Sequence, residues 1–217
     1  MKGKLLQEWE VLKVEVWSIS NQWTFFIELY KNSEHADILR KTDPLFFSIV
    51  FESLLKTLII SLTKIGDPVK TGRNENLTIA TILGTLSSLN IDAQCSDTFA
   101  KASSYKSKFT ENIKNLKKLR DKRIAHLDYQ TALHISEDII RDRDTILDQL
   151  ECSFNNLHNF MNTIQAYLQN NETAYVFLDT QRSISNVIDI LKKELTQKLE
   201  HKNQLNERRV SLLNQTK

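Results

Sequence analysis

The chain has 217 residues, enough for one large domain, or a domain with an extension, around a real core. Four glycines and two prolines leave little material for tight turns or strand-rich folds, so the composition points to an all-α protein. A formal charge of +2 excludes a uniformly basic nucleic-acid binder, and two cysteines, Cys95 and Cys152, exclude a disulfide framework or a cysteine-based metal cluster.

The start, MKGKLLQEWEV, carries charges inside what would have to be the apolar core of a signal peptide. No run approaches the apolar length of a membrane span, so a soluble, cytoplasmic protein with no membrane contact is expected. From Leu5 to Tyr30 the apolar positions Leu5, Trp9, Leu12, Val16, Ile19, Trp23, Phe26 and Tyr30 alternate spacings of four and three, which predicts one long helix with a continuous buried seam. Val11, Val14, Phe25, Ile27 and Leu29 are expected to widen that stripe, and the tryptophans to belong to the core. Residues 32–42 read as a short helix or link. Asp43 and Pro44 form a cap and first-position pair for a helix running to Gly66, apolar nearly all round and therefore central.

Asp67, Pro68 and the polar run to Asn76 form a loop, with Asn76 capping the next helix over LTIATILGTLSSLN. After a link over 91–97, Ser96 or Asp97 is expected to cap a long basic helix whose inner face is Phe109, Ile113, Leu116, Leu119 and, at its end, Arg123 or Ile124. Ser136 is expected to start the following helix, with a seam of Leu147, Leu150, Phe154, Leu157, Met161, Ile164 and Leu168. Asn170 to Thr173 breaks it, and Thr173 or Thr180 caps a last helix. Its apolar face, Ile184, Val187, Ile188, Leu191 and Leu195, gives way after Gln197 to a polar tail.

Charge is unevenly placed. Residues 101–123 hold nine Lys or Arg against Glu111 and Asp121, a net of +7, whereas 137–151 hold six acids against Arg141 and Arg143, a net of −4. The basic stretch ends in Arg120, Asp121, Lys122 and, six places after the arginine, His126. Histidine takes and gives protons near neutral pH, and arginine offers phosphate a fixed charge, so the set suits metal-free phosphodiester chemistry on RNA. On a regular helix the two side chains would point about 120° apart and lie roughly 9 Å apart along the axis. That separation favours two copies meeting across a twofold axis, where facing motifs build one composite cleft. His126 would then move the proton of a ribose 2′-hydroxyl or of the leaving 5′-oxygen, Arg120 would stabilise phosphate charge, and Asp121 would orient a partner. Lys114, Lys117, Lys118, Lys122 and Arg123 would hold the RNA backbone without sequence preference. The same residues also fit a solvated helical face with His126 capping its negative end, and that alternative stays open. His35, His134, His158 and His201 lack an arginine at comparable spacing and read as surface or bundle residues.

The stretch Arg120, Asp121, Lys122, then Ala125 and His126, resembles the signature of the HEPN superfamily: an arginine, a polar residue, several further residues and a histidine. The wording RDKRIAHLD is similar to the abortive-infection AbiU-like branch, as are the apolar helix after Asp43-Pro44 and the segment RNENLTIATIL. The similarity covers residues 1 to 170. It implies an HEPN-like antiparallel helical bundle over 1–170, with 171–217 as a helical extension packed on it or projecting from it. It also implies a homodimer with facing motifs and, in many members, a metal-independent endoribonuclease of a phage-defence or toxin-antitoxin system. Arg120 and His126 would be its catalytic pair and Asp121 the adjoining polar residue, with neither metal nor cofactor. Its partners would be RNA, such as tRNA or mRNA, and an antitoxin or other defence component. Some relatives of this type instead bind RNA or a protein without catalysis, which is the alternative reading.

Overall fold

The computed structural model of the chain describes residues 2–89, 93–124, 143–173, 175 and 177–215. Within them lie eight α-helices and one two-strand hairpin. The all-α expectation therefore holds.

Helix α1 (Lys2–Tyr30) forms because nothing after Gly3 breaks it and its apolar residues recur every three to four positions. Leu5, Trp9, Leu12, Val16, Ile19, Trp23 and Phe26 are all buried. The stripe is narrower than expected: Val11 is 54% exposed, Val14 66% and Trp17 52%. Trp17 follows the buried Val16 by one residue, about 100° round the helix, which carries it off the seam. Helix α2 (Ser33–Thr42) is capped by Asn32, whose side chain accepts from the Glu34 and His35 amides at 3.0 and 3.2 Å.

Asp43 caps α3 (Pro44–Ile65) by accepting the Phe46 amide at 3.0 Å, and proline occupies the first helical position. The helix is not buried all round. Leu58, Ile59, Leu62 and Ile65 in its second half are covered, but Leu45, Phe46 and Ile49 in its first half are exposed. Among the described residues it is also the one helix long and apolar enough to cross a membrane, with 17% of that window buried. Glu52 and Lys56 interrupt the run, which is why none was expected from the sequence.

Strands β1 (Lys70–Thr71) and β2 (Asn74–Glu75) pair antiparallel, Lys70 opposite Glu75 and Thr71 opposite Asn74. The turn needs a positive φ, which Gly72 supplies at 61°. Asn76 was expected to cap the next helix; it instead donates to the Pro68 carbonyl and to Thr71 Oγ1, both at 2.8 Å, closing the loop. Thr78 is the residue that caps α4 (Ile79–Ser87).

Helix α5 (Ala93–Asn112) begins before Ser96 and Asp97, so neither caps it. A turn at Ile113 separates it from α6 (Lys114–Leu119), which runs into a π-helical turn at Arg120–Ile124. Phe109, Ile113 and Leu116 are buried as expected. Helix α7 is described from Arg143 to Gln169, its proposed start at Ser136 lying outside the described residues, and it packs on α5. Its seam is buried as expected, except that Tyr167 takes the place given to Leu168, which is half-buried. Asn170 ends it at a φ of 56°. Helix α8 (Leu178–Gln215) starts too late for Thr173 to cap it and too early for Thr180. Thr173 bonds Asn162 and Gln165 instead, at 3.1 and 2.7 Å.

The chain divides into two compact units, Met1–Gln22 with Leu55–Val176, and Trp23–Leu54 with Phe177–Lys217. In the second, Leu29, Ile38, Leu39, Ile184 and Ile188 form one cluster with Tyr30, Phe47, Leu191 and Leu195 against it. Val187, expected on that face, is 48% exposed, and the side chains of 196–209 are all exposed.

In the first unit Gly66 ends α3 where a side chain has no room: a Cβ there would overlap Ile113 Cδ1 and stand 2.9 Å from Phe109 Cε1. Both neighbours are fully buried, so Gly66→Ala should cost about 1–3 kcal/mol, read as a lower Tm. The same unit holds His158, which shares a 2.7 Å hydrogen bond with Ser20 and stacks on Tyr175 with ring centroids 4.3 Å apart. Burial pushes its imidazole down to about 4. The unfolded histidine takes its proton near pH 6.5, so the full native stability is present above that pH and falls as pH drops toward 4, by up to about 3 kcal/mol. His158→Gln should therefore show a shallower acid-side decline in Tm than the wild type.

Candidate functional site

The C-terminal end of α3 meets α6 and the π-helical turn in a cluster of four charges. A helix end exposes unpaired carbonyls and carries partial negative charge, and here the chain adds a carboxylate, Asp67, immediately beyond it. Two cations one helical turn apart answer that charge. Lys117 Nζ donates to the Gly66 carbonyl at 2.6 Å and lies 3.3 Å from Asp67 Oδ1. Arg120 Nη1 donates to both Asp67 oxygens at 3.1 Å and to Thr63 Oγ1 at 3.3 Å. The Thr63 hydroxyl spends its own proton on the Ile59 carbonyl at 2.6 Å, which leaves its lone pair to the guanidinium. Arg120 Nε donates to Asp121 Oδ1 at 2.8 Å.

These contacts fix the arginine. Its side chain is 20% exposed, Asp67 and Lys117 are each 25% exposed, and Asp121 is 60% exposed. Partial burial works against the guanidinium charge, but the hydrogen bonds to Asp121 and Asp67 outweigh it and hold Arg120 above its ordinary range. Among the described residues, Nη2 is its one nitrogen without a hydrogen-bond partner. The cluster is thus a permanently charged, immobilised guanidinium bound to protein through Nε and Nη1. Such a group can hold a phosphate oxygen without first being ordered.

Of the residues expected to form the site, Arg120, Asp121 and Lys117 come together. Lys114 pairs with Glu111 at 3.7 Å, and Lys118 and Lys122 are exposed on the same segment. His126 and Ala125, and the side chain of Arg123, lie outside the described residues. Arg120–Ile124 is π-helical, its bonds running i to i+5, and the geometry expected between positions 120 and 126 ends on a residue outside the described ones. Asp67, Thr63 and Gly66 were not among the expected site residues. A signal was present: an acid just past the end of a helix faces an unfavourable dipole and needs a cation. The sequence does not say which of many lysines and arginines supplies it.

A family model described as AbiU2, of HEPN type, matches residues 3–204, past the residue 170 at which the resemblance was expected to stop. No curated protein and no solved structure matches.

Removing the Asp67 carboxylate leaves two partly buried cations without their shared partner. Asp67→Ala should lower stability by about 1–3 kcal/mol, while Asp67→Asn, which keeps one acceptor, should lose less. In thermal unfolding, a double-mutant cycle with Arg120→Ala should give a coupling energy of about 0.5–3 kcal/mol.

Proposed function

We propose, from the premise that this chain belongs to the HEPN-type AbiU2 family, that this abortive-infection related protein is a metal-independent endoribonuclease. The observation that carries the reading is Arg120: an always-charged side chain, immobilised by Asp67 and Asp121, at the end of the chain's most basic segment. The reaction is an internal transesterification. The ribose 2′-oxygen attacks phosphorus while His126 takes its proton, and the bond from phosphorus to the 5′-oxygen breaks. That oxygen leaves with a proton from His126 of the partner subunit, giving a 2′,3′-cyclic phosphate and a 5′-hydroxyl. Arg120 balances charge that grows on the phosphate oxygens, and Asp121 holds Arg120 Nε in place.

A homodimer belongs to this reading, because the motif of one copy offers a single histidine where the reaction uses a base and an acid. The exposed Leu45, Phe46 and Ile49 of α3 supply apolar surface for a second copy to bury. Lys114, Lys117, Lys118, Lys122 and Arg123 hold the RNA backbone through charge, in a cytoplasmic phage-defence or toxin-antitoxin setting.

One observation favours the second reading, a non-catalytic helical dimer that binds RNA or a protein partner. Arg120 Nη1 and Nε already bond carboxylates, as an arginine that only ties two segments together would. Purified protein incubated with total cellular RNA in EDTA separates the two. Discrete cleavage by the wild type, reduced about 10²–10⁴-fold in His126→Ala and about 10²–10³-fold in Arg120→Ala with folding intact by circular dichroism, establishes the nuclease. Intact RNA in every lane, with binding that depends on the lysines and ignores His126, establishes the binding module.

A further inference from the structure

Helices α4 and α5 leave an open groove of about 480 Å³ between them, within the size range of sites for small organic ligands. Its walls mix one aromatic ring, Phe99, with the hydroxyls of Ser103 and Thr110 and the ammonium of Lys106. Phe99 is 37% exposed and lines the groove. On the opposite wall, Gly84 removes a side chain where one would fit: a Cβ there would meet nothing within 4 Å. The glycine therefore keeps the groove open, and no packing contact requires it.

The groove points somewhere. Phe99, Ser103, Lys106, Thr110, Lys117 and Arg120 follow one another at spacings of four, three, four, seven and three. On a helix of 3.6 residues per turn they fall within about 60° of one line. The register is carried through the turn at Ile113, because its amide donates to the Phe109 carbonyl at 3.0 Å and its carbonyl accepts from Lys117 at 2.8 Å. The exposed ring and the proposed catalytic arginine thus lie on one side of the segment, about 32 Å apart.

We propose that the α4–α5 groove seats single-stranded RNA on its way to Arg120, with a base stacked on Phe99 and a backbone phosphate on Lys106. The inference rests on the nuclease reading above and adds the path of the substrate. An exposed aromatic ring beside a lysine is the combination that holds unpaired nucleotides without sequence preference, because every base has a π-face and every phosphate a charge. The hydroxyls of Ser103 and Thr110 supply hydrogen bonds to sugar and phosphate oxygens. Glu111, the acid on the groove wall, is paired with Lys114, which blunts its repulsion of the strand.

The test is fluorescence anisotropy in EDTA with a short, unstructured, 2′-O-methylated RNA oligomer, which cannot be cut, on the full-length protein. Gly84→Leu fills the groove and improves helix propensity, so it should fold; Phe99→Ala removes the platform. Each should weaken binding about tenfold. Lys106→Ala should weaken it about fivefold and flatten the salt dependence by one phosphate contact. Lys108→Ala lies about 200° from Lys106 on the same helix and should stay within twofold of wild type. Wild-type affinity in both Gly84→Leu and Phe99→Ala, or an equal loss in Lys108→Ala and Lys106→Ala, overturns the groove while leaving the nuclease reading untouched. Groove-dependent binding by a protein that cuts nothing keeps the groove and removes the nuclease. A wild type that binds no RNA removes both.

Discussion

The carboxylate of Asp67, placed just beyond the negative end of α3, is the constraint on which the site depends. Alone it would be repelled by the Gly66 and neighbouring carbonyls, so the fold must deliver positive charge to that point. It delivers Lys117 and Arg120, one turn apart on the adjoining segment, and their bonds are 2.6 to 3.3 Å long. Close approach is possible because Gly66 has no side chain to collide with Ile113 and Phe109. Core packing and site assembly are therefore one event: the buried faces of α3, α5 and α6 bring the helix end to the basic segment, and the ion cluster locks it there.

Charge sorting follows from that lock. Two cations and two acids cancel within the cluster, so Arg120 is held by local partners instead of by the surrounding field. The exposed lysines on the same segment keep their long-range attraction for a polyanion. Arginine suits the inner position because its planar fork bonds Asp67 and Asp121 from two separate edges, which a lysine ammonium does not do. The π-helical turn that begins at Arg120 changes the phase within residues 120–124, so these do not simply continue the α6 face.

Much of the fold was legible because helices announce themselves locally. The four-three spacing of Leu5 to Phe26, the Asp43-Pro44 start of α3 and the seam from Leu147 to Ile164 each depend on a few consecutive residues. What escaped was decided over long distances. Val11, Trp17 and Phe46 are largely exposed, and nothing in their own helices says so. Asn76 lies two residues before the Thr78 cap, and its amide hydrogens close the hairpin loop instead. Arg120, Asp121 and Lys117 were legible as a basic motif, but Asp67 lies 53 residues from Arg120 and was hidden in what read as an ordinary loop. The family model's match to 3–204 places the chain where the short motif had pointed.

The measurement that bears most directly on the central claim is the chemistry of the ends left in RNA cut by the purified protein in EDTA. Internal attack by the ribose leaves a 2′,3′-cyclic phosphate on one fragment and a 5′-hydroxyl on the other, and a single 2′-deoxy substitution at the cut position blocks that cut alone. Those ends and that block are the expected result. A 5′-phosphate product, or cutting that ignores the missing 2′-hydroxyl, would contradict the account.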